Sequence, residues 1–188
     1  MFDLSTIIAI LGTFFVAGLV KGVIGLGLPS ISLAVLTVAT NLPTSMALLL
    51  VPSLVTNIWQ AVRGGKFRVI LIRLWPLFLT ATVTVCFRAT ALTSVDQTLL
   101  SALLGVLLMT YAVVNLSGLR FNLKTRHEWW VGFLVGSVNG ILTGMTGSFV
   151  VPGVFYLQSI RQEKDELIQS MGILFTTCLL YTSDAADE

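Results

Sequence analysis

Charged residues are scarce in this sequence. Only 11% of its 188 residues are Asp, Glu, Lys or Arg, whereas soluble globular domains carry about 25%. Hydrophobic residues account for 55%, and the mean hydropathy is +0.93. This composition excludes an ordinary water-soluble domain and indicates an integral membrane protein. The alternating pattern of a transmembrane β-barrel is also missing, so we expect an all-α, polytopic bundle of transmembrane helices.

The residues that enzymes and metal sites need are missing as well. The single histidine, His127, lies in a basic loop, where we expect an exposed interfacial side chain and not a metal ligand. The chain has no H-E-x-x-H and no G-x-S-x-G motif, and its GVIGLG run has the reverse order of a dinucleotide-binding fingerprint. We therefore predict a protein that is not an enzyme and that binds no cofactor, metal or nucleic acid.

Acidic residues do not occur inside any apolar segment. Asp3, Asp96 and Glu128 lie at segment edges. Proton-coupled carriers commonly use intramembrane carboxylates as a relay. Any coupling in this protein must therefore use other groups or residues outside this sequence.

Only two cysteines are present, and one belongs to an unusual tail. Residues 178–188, CLLYTSDAADE, resemble the translation of a sequencing adapter, and we interpret them as an artefact instead of a natural polar tail. Without them 11 basic residues face 6 acidic ones, so the formal net charge moves from +2 to +5. The remaining Cys86 can form no internal disulfide.

Apolar segments recur along the whole chain. Two of them have about 12 residues and would span ~18 Å as helices, little more than half of a hydrocarbon core ~30 Å thick. We interpret these two as half-helices. The long segments comprise residues 4–25, 45–62, 69–87, 97–116 and 129–147, the short ones are 29–40 and 149–160, and a last one covers 167–177.

Basic residues predict the orientation in the membrane. They cluster in RGGKFR, residues 63–68, and in RFNLKTRH, residues 120–127, whereas the loop at NLPT carries no charge. Because basic loops stay in the cytoplasm, we expect the N-terminus outside the cell. In the same orientation, Arg73 is expected to reach from its span toward the interface.

An internal repeat divides the chain. GLVKG, residues 18–22, aligns with GSVNG, residues 136–140, and SMALLL from Ser45 aligns with SMGILF from Ser170. Five segments separate equivalent points, and this odd number predicts an inverted-topology repeat, as in many secondary transporters. We assign residues 1–116 to the first repeat, 117–128 to a cytoplasmic loop and 129–177 to a truncated second repeat.

The glycine-rich breaks are the candidate binding site. Glycines and prolines at this density do not suit a packed helix, and irregular backbone at membrane depth must be buried or line a cavity. We predict that residues 25–28 climb in extended form toward the midplane, where Pro29 starts a half-helix whose N-terminus attracts anions. A second half-helix would oppose it. The predicted substrate-binding residues are Lys21, Gly25, Gly27, Pro29, Ser30, Asn57, Gln60, Asn139, Gly144, Thr146, Gly147 and Ser148.

Alternatives remain open for several of these residues. Lys21 either contacts the anion or extends to the membrane interface. Asn57 and Gln60 either bind a ligand or hydrogen-bond between helices. The G-x-x-x-G spacings at 18 and 22 and at 136 and 140 favour close helix packing over ligand binding.

Three stretches resemble one transporter family. GLGLPS, LPTSMALLLVPSLVTNIWQAVRGGKFR and NGILTGMTGSFVVPG are similar to the TauE/SafE family of sulfite and organosulfonate exporters. The similarity extends from Leu4 to Thr177, although Leu28 and Ser148 interrupt the G-x-G-G type run of the family. It implies a carrier of a small anion in a bacterial inner membrane, working by alternating access, with about a quarter of the protein absent. The alternative is a membrane scaffold that transports nothing, and the oligomeric state is left open.

Overall fold

The computed structural model describes residues 3–88, 96–118, 122–146 and 151–184, without the side chains of 86–88 and 181–184. These residues form eight α-helices, one short 3₁₀ turn (Thr125–His127) and no strand, which confirms the all-α fold class. The helices are α1 (Leu4–Ile24), α2 (Leu28–Ala39), α3 (Leu42–Arg63), α4 (Phe67–Arg88), α5 (Gln97–Leu116), α6 (Glu128–Thr146), α7 (Gly153–Ser159) and α8 (Lys164–Asp184).

Within the described ranges, four helices are long and apolar enough to cross a membrane. They are α1, α3, the Phe67–Val85 part of α4, and α5. Large apolar side chains such as Leu4, Val38 and Leu116 stay more than 70% exposed, as expected for a surface that faces lipid and not water. The chain is therefore a multi-pass membrane protein.

A long, a short and a long helix follow one another twice along the chain. α1, α2 and α3 have 21, 12 and 22 residues, and α6, α7 and α8 have 19, 7 and 21. The short helices fall where half-helices were expected, but α7 begins at Gly153, later than the predicted residue 149. The opposite membrane orientation of the two sets stays a prediction.

The break between α1 and α2 is a tight turn. Gly25 ends α1 with a φ of 83° and Gly27 precedes α2 with a φ of 108°. Both lie in the left-handed region that glycine tolerates because it has no Cβ. The expectation of an extended climb over residues 25–28 is wrong, because two left-handed residues turn the backbone back on itself and α2 packs directly on α1.

Capping residues and prolines set the ends and bends of the other spans. Asn41 caps α3, its Oδ1 accepting from Thr44 N at 2.9 Å, and Asp96 caps α5 by accepting from Thr98 N at 2.7 Å. Leu74 inside α4 has a non-helical φ of −110°. Pro76 explains this kink, since proline lacks an N–H and its ring clashes with the preceding turn.

α4 and α6 pack closely against each other. A Cβ added to Gly136 would lie 2.5 Å from Leu77 O, and one added to Gly140 would meet the backbone of Ala81. The backbones therefore approach closely where these glycines lie, as the G-x-x-x-G spacing predicts.

An ion pair closes one end of the α4 and α6 pair. Arg73 Nε and Nη2 donate to Glu128 Oε2 and Oε1 at 2.9 and 2.8 Å. Tyr156 Oη donates to Glu128 O at 2.8 Å. The sequence expectation for Arg73 included no partner, whereas a carboxylate on the neighbouring helix lies within bidentate reach of its guanidinium. That Arg73 lies at the membrane interface stays a prediction.

Candidate functional site

A cavity of about 910 Å³ lies between α1, α3 and the first turns of α8. One part of its lining is polar and includes Lys21, Thr56 and Gln60, while much of the rest is apolar. The further lining residues are Gly18, Gly22, Val23, Gly25, Leu28, Val55, Ile58, Trp59, Val62, Lys164, Asp165 and Ile168.

Lys21 is the central side chain of the polar part. It is only 6% exposed, and its ammonium donates to Thr56 Oγ1 at 3.0 Å and to Asn57 Oδ1. In the described parts of the chain no carboxylate forms an ion pair with it. Lys21 therefore points from α1 toward α3.

The end of α1 is joined to α3 by two contacts one helical turn apart. Lys21 bonds Thr56, and four residues further along both helices Gln60 Nε2 donates to Gly25 O at 2.8 Å. This spacing works because residues four apart lie on the same face of a helix. The amide of Gln60 thereby satisfies a carbonyl that the left-handed turn at Gly25 exposes.

Asn57 bonds the Lys21 ammonium from outside the cavity lining. It is fully buried, does not line the cavity, and its Nδ2 donates to Ser53 Oγ at 3.2 Å. Because its amide nitrogen is used there, its oxygen points to Lys21. The structure thus brings four of the predicted residues together, namely Lys21, Gly25, Asn57 and Gln60.

Among the described residues, the hydrogen-bond partners of the Lys21 ammonium carry no charge. Thr56 and Asn57 are neutral, while the acidic Asp165 and the basic Lys164 are exposed residues at the cavity rim. A buried cation without an ionic partner is costly, and a counter-ion offsets that cost. The polar part of the cavity therefore favours a small anion.

The other predicted residues of the first repeat lie beside this cavity. Leu28 lines it, whereas Gly27, Pro29 and Ser30 belong to the turn and the start of α2 outside the lining. Pro29 occupies the first turn of α2 as expected. One turn further, Ser32 is fully buried, and its Oγ has no partner in the described chain.

The described ones among the residues predicted in the second half, Asn139, Gly144 and Thr146, do not line the cavity. Asn139, Gly144 and Thr146 are buried on α6, and Gly147 and Ser148 lie outside the described residues. Asn139 Oδ1 accepts from Gly153 N at 2.9 Å at the start of α7. Its Nδ2 is buried without a partner in the described ranges. The joint site of two opposed half-helices stays a prediction.

Sequence reasoning missed several lining residues. Thr56 could have been found, because it precedes Gln60 by one helical turn on the polar face of α3. Ile168 and Trp59 carried no such signal. A Cβ at Gly25 would lie 2.8 Å from Ile168 Cγ1, a contact between segments distant in sequence that only packing reveals.

An exposed ion-pair cluster lies near the cavity. Lys66 Nζ contacts Glu163 Oε2 and Glu166 Oε1, both at 2.8 Å, and Lys66 N donates to Gln169 Oε1 at 3.1 Å. We call these contacts of Lys66 with Glu163 and Glu166 the Lys66 clamp. The hydrogen bonds that the Lys66 ammonium donates to Glu163 and Glu166 raise the pKa of Lys66, and the bond that Glu166 accepts from Lys66 lowers the pKa of Glu166.

The clamp joins the loop after α3 to the residues at the start of α8. Gln169 also donates to Ala61 O at 2.7 Å, and Gly172 of α8 packs against the backbone of Asn57. Trp59 and Gln60 line both the main cavity and a smaller one of about 380 Å³ near Gln169. The seam between α3 and α8 thus forms one side of the candidate site.

These features define an all-α membrane protein with broken helices and a cavity between spans that is lined by a buried lysine, Lys21. This is the architecture of a membrane transporter. The chain belongs to the TauE/SafE family, because the family model described as "Sulfite exporter TauE/SafE" matches residues 10–183. No curated protein and no solved structure shows a significant match. Members of this family are transporters and not enzymes, so membership makes this chain a membrane transporter of the sulfite or organosulfonate type.

Proposed function

We propose that this protein carries a small anion, sulfite or an organosulfonate, across a bacterial inner membrane by alternating access. The observation that carries the proposal is Lys21, a buried ammonium in a cavity whose direct partners are neutral. An anion would supply the missing negative charge. The basic loops support a cytoplasmic position for the Lys66 clamp and an N-terminus outside the cell.

Each predicted residue has a place in the proposed site. Lys21 contacts the anion, Asn57 orients Lys21, and Gln60 with Gly25 shapes the wall. Gly27, Pro29 and Ser30 place the first turn of α2, whose free N–H groups favour negative charge. The second repeat contributes Asn139, Gly144, Thr146, Gly147 and Ser148 when the two repeats rearrange during transport.

Flux into liposomes tests the proposal. Uptake of labelled sulfite by liposomes that carry the purified protein is measured for Lys21→Gln, for Lys21→Arg and for Lys124→Gln, an exposed lysine that does not line the cavity. We expect Lys21→Gln to lose saturable flux, Lys21→Arg to retain part of it, and Lys124→Gln to behave like the wild type. A sulfonate competitor shows whether an organic anion uses the same site.

The same assay contains the outcome that overturns the proposal. If the folded wild type moves none of a panel of small anions, the scaffold interpretation takes its place. If Lys21→Gln transports as well as the wild type, Lys21 is a structural residue and the site lies elsewhere. Melting temperature and elution volume show that each variant is folded.

A further inference from the structure

Two cavities adjoin each other along one face of α3. The smaller cavity, of about 380 Å³, shares Trp59, Gln60, Asp165 and Ile168 with the cavity that Lys21 lines. Arg63, the last residue of α3, lines the smaller cavity and not the larger one. The end of α3 therefore brings a second cation to a space that adjoins the Lys21 cavity.

Polar side chains follow one another along this face at intervals of one helical turn. Thr56, which bonds Lys21, is followed by Gln60 four residues later and by Arg63 three residues after that. Residues three and four apart lie on the same face of a helix. At 1.5 Å per residue, Arg63 lies about 10 Å along the α3 axis from Thr56. The three side chains thus form a polar track from the end of α3 to Lys21.

Trp59 positions the guanidinium at the end of this track. Arg63 Cζ lies 4.6 Å from the centroid of the Trp59 ring, within the range of a cation–π interaction. Both side chains are exposed, and no carboxylate in the part of the chain that the structure describes forms an ion pair with Arg63. The indole ring therefore restricts where the guanidinium lies without neutralising its charge.

The charges at the start of α8 leave a positive balance near this guanidinium. The two glutamates of the Lys66 clamp are already bonded to Lys66. Asp165 lines both cavities, and the adjacent Lys164 lines the larger one. With Arg63, the shared lining thus carries two basic side chains and one acidic one, which favours an anion.

We propose that Arg63, positioned by Trp59, forms a second oxyanion site at the end of α3, and that the transported anion occupies this site on its way to or from Lys21. A guanidinium donates two parallel N–H bonds to a sulfonate, sulfate or phosphate group. The occupant is a water-soluble oxyanion and not a lipid headgroup, because the cavity continues past Gln60 toward Lys21. The passage to Lys21 rests on the proposed function, whereas binding at Arg63 does not.

Arginine modification of the full-length protein in detergent tests the binding without measuring transport. Phenylglyoxal labels accessible guanidinium groups, and mass spectrometry quantifies the label at each arginine with sulfate or with sodium chloride of equal ionic strength. We expect sulfate to slow the labelling of Arg63 several-fold. Arg68 and Arg126 are exposed and line neither cavity, so their labelling should not change. Equal protection of all three arginines, or none at Arg63, overturns the proposal.

Variants of the neighbouring residues separate a built site from a general effect of charge. We expect sulfate protection of Arg63 to weaken in Trp59→Leu, because the guanidinium loses its position, and to strengthen in Asp165→Asn, because a repelling carboxylate is removed. Unchanged protection in both variants contradicts the site. Protection should persist in Lys21→Gln, and its loss there would mean a single site at Lys21.

Lipid composition distinguishes the two sources of an oxyanion. The same labelling is repeated in nanodiscs of phosphatidylcholine with and without phosphatidylglycerol. We expect sulfate to protect Arg63 in both. Protection by phosphatidylglycerol but not by sulfate would assign Arg63 to a lipid headgroup and overturn the proposal.

Liposome flux tests the passage from this site to Lys21. We expect Arg63→Gln to raise the KM for sulfite several-fold with little change in maximal rate, and Arg68→Gln to behave like the wild type. A wild-type KM in Arg63→Gln overturns the passage while leaving the proposed function intact. If the wild type transports no anion, the proposed function fails, and the sulfate protection of Arg63 still decides whether the second site exists.

Discussion

Lys21 and Asn57 lie 36 positions apart and are joined by a buried hydrogen bond from the lysine Nζ to the amide Oδ1. The bond links α1 to α3 beside the turn at Gly25. It holds the ammonium inside the cavity, where its other bonded partner, Thr56, is also neutral. The charge at the site therefore depends on Asn57 remaining an amide.

Replacing Asn57 by aspartate tests this dependence. Asn57→Asp keeps the size of the side chain but places a carboxylate next to Lys21, so the pair becomes neutral and no longer attracts an anion. We expect apparent affinity for sulfite to fall about tenfold or more, equivalent to about 1.4 kcal/mol, while the protein stays folded. Liposome flux against sulfite concentration measures it. The control is Asn115→Asp on α5, and unchanged affinity in Asn57→Asp would contradict a role for the charge.

Alanine substitutions at Gly25 and Gly65 distinguish the cost of backbone strain from the cost of a steric contact. Both have positive φ, 83° and 71°, so alanine at either position costs about 1 kcal/mol in strain. Only at Gly25 would the new Cβ also meet Ile168, 2.8 Å away, because Gly65 faces open space. We expect Gly25→Ala to lower the free energy of unfolding more than Gly65→Ala, with partial recovery in Gly25→Ala/Ile168→Ala. If Gly25→Ala and Gly65→Ala lower the free energy of unfolding in detergent equally, the Ile168 side chain moves away from the new Cβ without a measurable cost.

The ion pair between Arg73 and Glu128 predicts an asymmetric double-mutant cycle. The Glu128 side chain is 8% exposed and that of Arg73 33%. Arg73→Met leaves a buried carboxylate unpaired and is expected to cost about 3 kcal/mol. Glu128→Gln is expected to cost less, since the partly exposed guanidinium retains solvent. The double variant should lose less than the sum of the two. Additive losses in the free energy of unfolding would mean that the pair is not coupled.

The Lys66 clamp predicts a pH window for the contact between the loops. The pKa of Glu166 is lowered by Lys66, so its contribution is present above the ordinary carboxyl pKa and is lost as pH falls through the lowered value. The pKa of Lys66 is raised, so its contribution is present below the ordinary lysine pKa and is lost as pH rises through the raised value. The clamp is therefore intact at neutral pH.

Acid and high salt should both loosen the clamp. We expect trypsin at neutral pH to cleave Lys66→Met at Lys164 faster than the wild type, and an acid-active protease at low pH to cleave this loop equally fast in both. High salt should act like acid, because exposed pairs are screened. Arg68→Met, which removes a nearby charge outside the clamp, is the control. Identical cleavage of wild type and Lys66→Met at neutral pH would show that the clamp does not order the loop.

The sequence predicted the bounds of the helices better than the turns between them and the helices that pack against each other. Residues 97–116 were predicted as one span and form α5 with the same ends, and the predicted span 4–25 forms α1 up to Ile24. Long apolar runs specify such helices because backbone in lipid must bond to itself. The extended climb after Gly25 was wrong, because glycine at that density allows an extended chain and a left-handed turn equally well.

Hydrophobicity, length and glycine spacing in the sequence by itself determined the membrane class, the spans, the break near Gly25 and the family resemblance. Only the tertiary structure decided that Lys21 turns toward Asn57, that Gln60 caps the carbonyl of Gly25, and that Arg73 meets Glu128. The physical reason is that a membrane helix is apolar on most sides, so its sequence shows little preference for one neighbour. Close packing and the pairing of the few polar groups then select the faces that meet.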